Sequence, residues 1–125
     1  MAGSGGHLVL DVFNPTCWIN WAGQDSHRDA APEQGYPYSV SEHTGYDPVR
    51  ARFIDTWSRQ GQPQPLTQSQ RCYSPADFLL LVEPTELEVL AMEVDGISIN
   101  LRGGADSSHR LFDQHEYQVV LRRPD

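Results

Sequence analysis

The sequence predicts an α/β chain, α+β if its elements are simply counted, in which an antiparallel meander is inserted between a buried strand and a capped helix. Three observations predict this. Leu8 to Leu10 with Val12 and Phe13 form an apolar run broken only by Asp11 and closed by Asn14-Pro15, the pattern of a strand covered on both faces as in a parallel sheet. Residues 36–72 carry short alternating stretches separated by turn signals. Ser74-Pro75-Ala76-Asp77 then opens an apolar helix.

The elements follow in order. Trp18, Ile19 and Trp21 read as a short helical turn or irregular segment, and the polar stretch Gly23–Gly35 reads as a loop. Tyr36, Tyr38 and Val40 alternate with Pro37, Ser39 and Ser41, which is strand periodicity. "TGYDP" (Thr44 to Pro48) signals a turn, and Val49, Ala51 and Phe53 alternate with Arg50 and Arg52 as a second strand. "RQGQPQP" (Arg59 to Pro65) is another turn, and Leu66–Cys72 a third strand of the meander. In the helix, Ser74 is placed to cap, Pro75 suits the first position, and Asp77 complements the free amides. Phe78, Leu81 and Val82 are expected on its buried face, and Pro84 stops it. Leu87–Val94 reads as a strand, Asp95-Gly96 as a turn, Arg102–Asp106 as loop, and Tyr117–Leu121 as the final strand.

At 125 residues the chain is expected to be one domain with a modest core. It is 38% apolar, with a mean hydropathy of −0.52. No stretch approaches the ~20 apolar residues of a membrane span, no basic segment precedes the first apolar run, and the expected location is the cytoplasm. Net charge is −8, and all nine basic residues are arginines. Such a balance repels a phosphate backbone, so nucleic acid is not an expected partner. Cys17 and Cys72 are too few and too far apart for a disulfide scaffold or a zinc site and read as two ordinary thiols.

"GGHLVLDVFNP" (5–15), "YDPVRARFIDTW" (46–57), "RCYSPADFLLLVEPTELEV" (71–89) and "HEYQVVLRRP" (115–124) fall in an order that resembles the C-terminal half of class I S-adenosylmethionine-dependent methyltransferases. The resemblance implies a single partial domain over residues 1–125, the C-terminal portion of a Rossmann-like sheet. Its strands would correspond to the family's fifth, seventh and sixth, lying side by side in that order with the seventh antiparallel. The meander would be a substrate-side insertion. The family's fourth strand would be missing from the open side of Leu8 to Phe13, leaving an edge on which another chain can pair. The resemblance implies S-adenosylmethionine as cofactor, but the family's glycine-rich turn after a first strand and its acidic residue after a second are not found. Gly3 to Gly6 precede their strand, whereas a cofactor-cradling loop follows one and opens a helix. No cofactor-binding residue carries over. Relatives often have Gly where Glu86 stands; either Glu86 takes the left-handed conformation at a cost of ~1 kcal/mol or the local turn differs.

The expected function is transfer of a methyl group to a small molecule, with this chain inactive alone or completed by a complementary N-terminal half. The alternative is a non-catalytic α+β binding or assembly module that dimerises through the Leu8–Phe13 edge. The resemblance makes Asn14, Trp18, Trp21 and Tyr46 the substrate-wall candidates, by hydrogen bonding and aromatic contact. The competing reading has the tryptophans packing a core or lid and Asn14 as a turn residue before Pro15. Of His7, His27, His43, His109 and His115, His43 in the insertion is the best general-base candidate. No spacing among them makes a metal site, and no nucleophile elbow points to a hydrolase.

Overall fold

In a computed structural model, residues 5–101 and 114–124 are described. The chain divides into two compact units: Met1–Cys17 with Cys72–Asp125, and Trp18–Arg71. The expected loop at Arg102–Asp106 and His109 lie outside the described residues.

The first unit holds β1 (His7–Phe13), the start of α1 (Pro15–Trp21), α2 (Pro75–Val82), β6 (Glu88–Val94), β7 (Ile97–Ser98) and β8 (Glu116–Arg122). Its sheet runs β1-β8-β6-β7, with every pairing antiparallel. Because β8 opposes both neighbours, β1 and β6 run parallel to each other. The core-side face carries Val12 from β1, Tyr117, Val119 and Leu121 from β8, and Met92 and Val94 from β6. Phe78 and Val82 of α2, one helical turn apart, close onto it. Tyr117 is fully buried; its hydroxyl donates to the carbonyl of Tyr73 at 2.6 Å, and burial pushes its pKa well above the ordinary tyrosine value.

Ser74 caps α2 as its residue type predicts, with Oγ accepting the N–H of Asp77 at 3.1 Å and Pro75 in the first turn. One expectation about this helix is corrected, and one alternative is decided. Leu81 is exposed, because Phe78 and Val82 alone define the narrow buried stripe of a two-turn helix. Glu86 is not left-handed. Thr85 closes the helix instead: its N–H and hydroxyl both donate to the carbonyl of Val82, and its oxygen accepts the N–H of Leu87. Asp95 and Gly96, with φ of 55° and 75°, make the two-residue turn that joins β6 to the short β7, which the sequence did not announce.

The burial of β1 differs from expectation. The strand stands at the end of the sheet, with β8 as its one strand neighbour among the described residues, and only Val12 is buried. Val9, on the face turned away from the core, is 64% exposed. A strand with one neighbour and cover on one face lacks the burial that its apolar composition suggests.

The second unit is the meander. It holds the end of α1 and four antiparallel strands in sequential order: β2 (Gln24–Arg28), β3 (Val40–Asp47), β4 (Arg52–Arg59) and β5 (Leu66–Arg71). Four strands stand where three were expected. β2 falls inside the expected Gly23–Gly35 loop because Gln-Asp-Ser-His-Arg has no apolar residue and hence no hydrophobic period; pairing with β3 makes it a strand. Residues 36–39 precede β3 rather than belonging to it, and Thr44–Asp47 continue β3 rather than turning. The turn lies at Pro48–Ala51, where Asp47 Oδ1 accepts the N–H groups of Val49 and Arg50 at 2.9 and 3.2 Å. The Arg50 guanidinium, 3.1 Å from Oδ2, and these N–H groups hold Asp47 below the usual carboxylate range.

The burial pattern sets a stability order that urea denaturation can check. Met92→Ala is expected to cost about 2–5 kcal/mol, because it opens a fully buried site on β6 within the core cluster. Tyr117→Phe, which loses one buried hydrogen bond, is expected to cost about 1 kcal/mol. Val9→Lys on the exposed side of β1 is expected to stay within about 0.5 kcal/mol. A Val9→Lys loss as large as that of Met92→Ala would contradict the assignment of the two sheet faces.

Candidate functional site

The most developed polar cluster lies on one face of the meander. β2 and β3 pair so that Asp25 stands opposite His43 and His27 opposite Ser41; across β3, His43 faces Thr56 and Ser41 faces Ser58. Alternation along each strand puts all six on the same face. His43 Nδ1 lies 2.7 Å from Asp25 Oδ1. His27 Nε2 lies 2.8 Å from Asp29 Oδ1, and its Nδ1 lies 2.8 Å from Ser41 Oγ. An ionised aspartate only accepts, so each carboxylate fixes a proton on the nitrogen facing it. In the neutral imidazoles, the lone pair then falls on Nε2 of His43 and on Nδ1 of His27, where it accepts the Ser41 hydroxyl. These side chains line an open concavity of about 450 Å³. Exposed ion pairs of this kind add only about 0–1 kcal/mol each, so what the cluster contributes is arrangement: two oriented imidazoles among three hydroxyls.

The opposite face of the same sheet is different. Trp18 packs on Phe53 with ring centroids 4.0 Å apart, and Tyr46 stands beside Phe53 in the register. Next along come Thr44, Asp55 and Glu42. Asp55 is 4% exposed, and its Oδ1 accepts the Thr44 hydroxyl at 3.4 Å. Glu42 shares a hydrogen bond with Asp55 and accepts another from Ser26 Oγ at 3.2 Å. The contact with Asp55, above all through that hydrogen bond, together with partial burial, raises Glu42 above its ordinary value of 4.5.

The five sequence candidates are therefore dispersed. His43 is on the polar face, while Trp18 and Tyr46 belong to the face that carries Phe53. Trp21 is half-exposed at the end of α1. Asn14 belongs to the first unit and is 1% exposed: Nδ2 donates to the carbonyl of Gln114 at 3.2 Å, and Oδ1 accepts the N–H of Thr16 at 3.3 Å. Sequence reasoning did not single out Asp25, Asp29 and Ser41, the partners of the two histidines. They lie 2 to 18 residues from their histidines, and only the strand register reveals the longer pairings. Among the described residues, no group of three or more His, Cys, Asp or Glu is placed to hold a metal ion. Cys17 and Cys72 are buried free thiols.

Neither helix among the described residues opens on a glycine-rich turn. Both helices open on a side-chain cap, Asn14 or Ser74, followed by proline, which has no N–H to offer a ligand. Gly5 and Gly6 precede β1 rather than following a strand.

Glu42 makes a pH prediction. A carboxyl whose folded pKa is raised holds its proton more tightly when folded, so its contribution is fullest below 4.5 and is lost as pH rises through the folded value. Glu42→Gln keeps a donor towards Asp55 and removes the like charge. Thermal melts should show the variant more stable than the parent near neutral pH, with the difference shrinking as pH falls below 4.5. A gain that is the same at every pH would rule out repulsion as its cause.

No protein-family model matches the sequence, and no curated protein matches it. Among solved structures, the chain is similar to an S-adenosylmethionine-dependent methyltransferase from Clostridium acetobutylicum, with a TM-score of 0.63 and 8% sequence identity. The match covers 98% of this chain and 46% of that one, so the chain spans less than half the neighbour's length. At that identity the likeness shows a methyltransferase-like fold, not an activity.

Proposed function

We propose that this chain forms the acceptor side of an S-adenosylmethionine-dependent methyltransferase, and that a complementary N-terminal half of the fold holds the methyl donor. The observation that carries the reading is the arrangement β1-β8-β6, two mutually parallel strands with an antiparallel strand between them, together with the likeness to less than half of a methyltransferase. We identify these strands with the family's fifth, seventh and sixth. The open side of β1 is then the seam that the complementary half completes.

Within this reading the acceptor is a small hydroxyl-bearing molecule seated in the concavity of the meander. Ser41, Thr56 and Ser58 orient it by hydrogen bonds. His43 Nε2 takes its proton, and Asp25, on the far nitrogen, holds the ring and favours the imidazolium that results. Of the sequence candidates, this assignment keeps His43 and makes packing residues of Trp18 and Tyr46.

Calorimetric titration of S-adenosylmethionine into this chain alone is expected to give no detectable heat, with binding appearing when a complementary half is co-expressed. Heat from the isolated, folded chain would overturn the division. In the complete assembly, His43→Gln is expected to slow methyl transfer by roughly 10²–10⁴-fold with cofactor affinity unchanged. No effect on turnover would remove His43 from the reaction. The exposed edge at Val9 favours a second reading, assembly without chemistry. Concentration-dependent self-association, with no cofactor heat in either preparation, would support that reading instead.

A further inference from the structure

One end of the meander presents two arginines seated on tyrosine rings. Arg28 of β2, Val40 of β3 and Arg59 of β4 stand directly opposite one another across the sheet, on the face that carries Glu42 and Trp57 and not on the face of the histidine cluster. Two inter-strand spacings put the two arginine backbones about 10 Å apart. Each guanidinium lies over a tyrosine ring, Arg28 on Tyr36 at 4.1 Å and Arg59 on Tyr38 at 4.4 Å from the ring centroids. Among the described residues neither makes an ion pair, whereas Arg50, Arg122 and Arg123 each have a carboxylate within 3.1 Å. The nearest acid on this face, Glu42, is turned to Ser26 and Asp55.

The segment that supplies the tyrosines is tied down. Ala31 and Tyr36 exchange backbone hydrogen bonds of 2.7 and 3.1 Å around the turn Pro32–Gln34. Ser39 Oγ accepts the N–H of Ala30 at 3.0 Å, and the Ser39 carbonyl accepts that of Gln60 at 2.9 Å. The arginines are thus seated before any ligand arrives, which lowers the ordering cost of binding. Tyr36, Tyr38 and Trp57 are all more than 40% exposed or close to it, and exposed Tyr, Trp and Arg is the composition of energetically dominant interface positions.

We infer that the Arg28–Val40–Arg59 row is a docking site for an acidic peptide segment of a partner protein. Charge complementarity selects the occupant. The row offers two separated fork-shaped donors for carboxylates with an apolar step between them, a pattern that a peptide of alternating acidic and apolar residues matches and a phosphate backbone does not. The inference stands apart from the methyl-transfer reading, because it concerns the opposite sheet face.

The test is fluorescence anisotropy of a labelled dodecapeptide alternating Glu and Leu, titrated with the full chain at low and high salt. Binding that weakens with salt is expected. The pair Arg28→Gln/Arg59→Gln should lower affinity by about tenfold or more. Tyr36→Leu/Tyr38→Leu, which keeps both charges but removes their seats, should cause a smaller loss. Arg50→Gln/Arg123→Gln removes the same charge elsewhere and should leave binding unchanged, and each variant's melting curve verifies folding. An equal loss in that control pair would reduce the effect to net charge and overturn the inference. So would failure of the parent chain to bind the peptide. Full displacement by inorganic pyrophosphate, or tighter binding of oligodeoxythymidine, would likewise replace the peptide by a different anion.

Discussion

In the meander everything depends on the register of β3, the strand from Val40 to Asp47 that is paired on both sides. Its pairing with β2 places Asp25 on His43 and Ser41 on His27; its pairing with β4 places Asp55 beside Thr44 and Arg59 beside Val40. Side chains alternate with a period of two, so a slip of one residue in either pairing would send every one of these groups to the other face. The imidazole cluster would face the aromatic packing, and the buried carboxyl would meet water. The aromatic contact between Trp18 and Phe53 specifies the register, because one face has aromatic surface to bury and the other is polar apart from Ile54. Two polar clusters of different character are therefore kept apart by one hydrophobic choice.

The first unit depends on β8 in the same way. Tyr117, Val119 and Leu121 fill one face of a strand with neighbours on both sides, and burial of side chains of this size is worth about 1.5–3 kcal/mol each. β1 and β6 gain their burial by pairing with it, and α2 by covering it. Asn14 extends this order past the end of β1, with its N–H on the carbonyl of His115 and its side chain on Gln114 and Thr16. A side chain so engaged is spent on holding the strand-to-helix turn, and a ligand would have to break two hydrogen bonds to recruit it.

How much was legible in the sequence follows from which interactions are local. The start of α2 was readable from Ser74-Pro75-Ala76-Asp77, because a cap and its amide are three residues apart. The Asp95-Gly96 turn and the strands β6, β5 and β8 were readable for the same kind of reason. β2 was not, since a polar strand has no period of its own and exists by pairing with residues 12 to 20 positions away. The apolar run of β1 was legible as a strand but misleading about burial: composition reports what a residue prefers, while exposure depends on which neighbours the sheet supplies. In the candidate site His43 was visible as a residue type. Its carboxylate was not, because eighteen residues and a strand reversal separate it from Asp25. The arginine row was invisible for the same reason, as three strands each contribute one member.

The two faces of the meander also divide the labour of charge. In the histidine cluster, each imidazole is already matched to an aspartate, so the cluster is close to internally neutral when its imidazoles are protonated and carries spare negative charge when they are not. That suits an uncharged, proton-yielding ligand better than an anion. At the arginine end the matching is to π faces instead, an exposed contact worth about 0.5–1 kcal/mol that orients a guanidinium without neutralising it. An arginine held this way keeps its full charge and a fixed direction. In a chain with 17 acidic residues, an aspartate in place of either tyrosine would have been the simpler way to satisfy the arginine, and it would have cancelled the charge that the aromatic seat preserves.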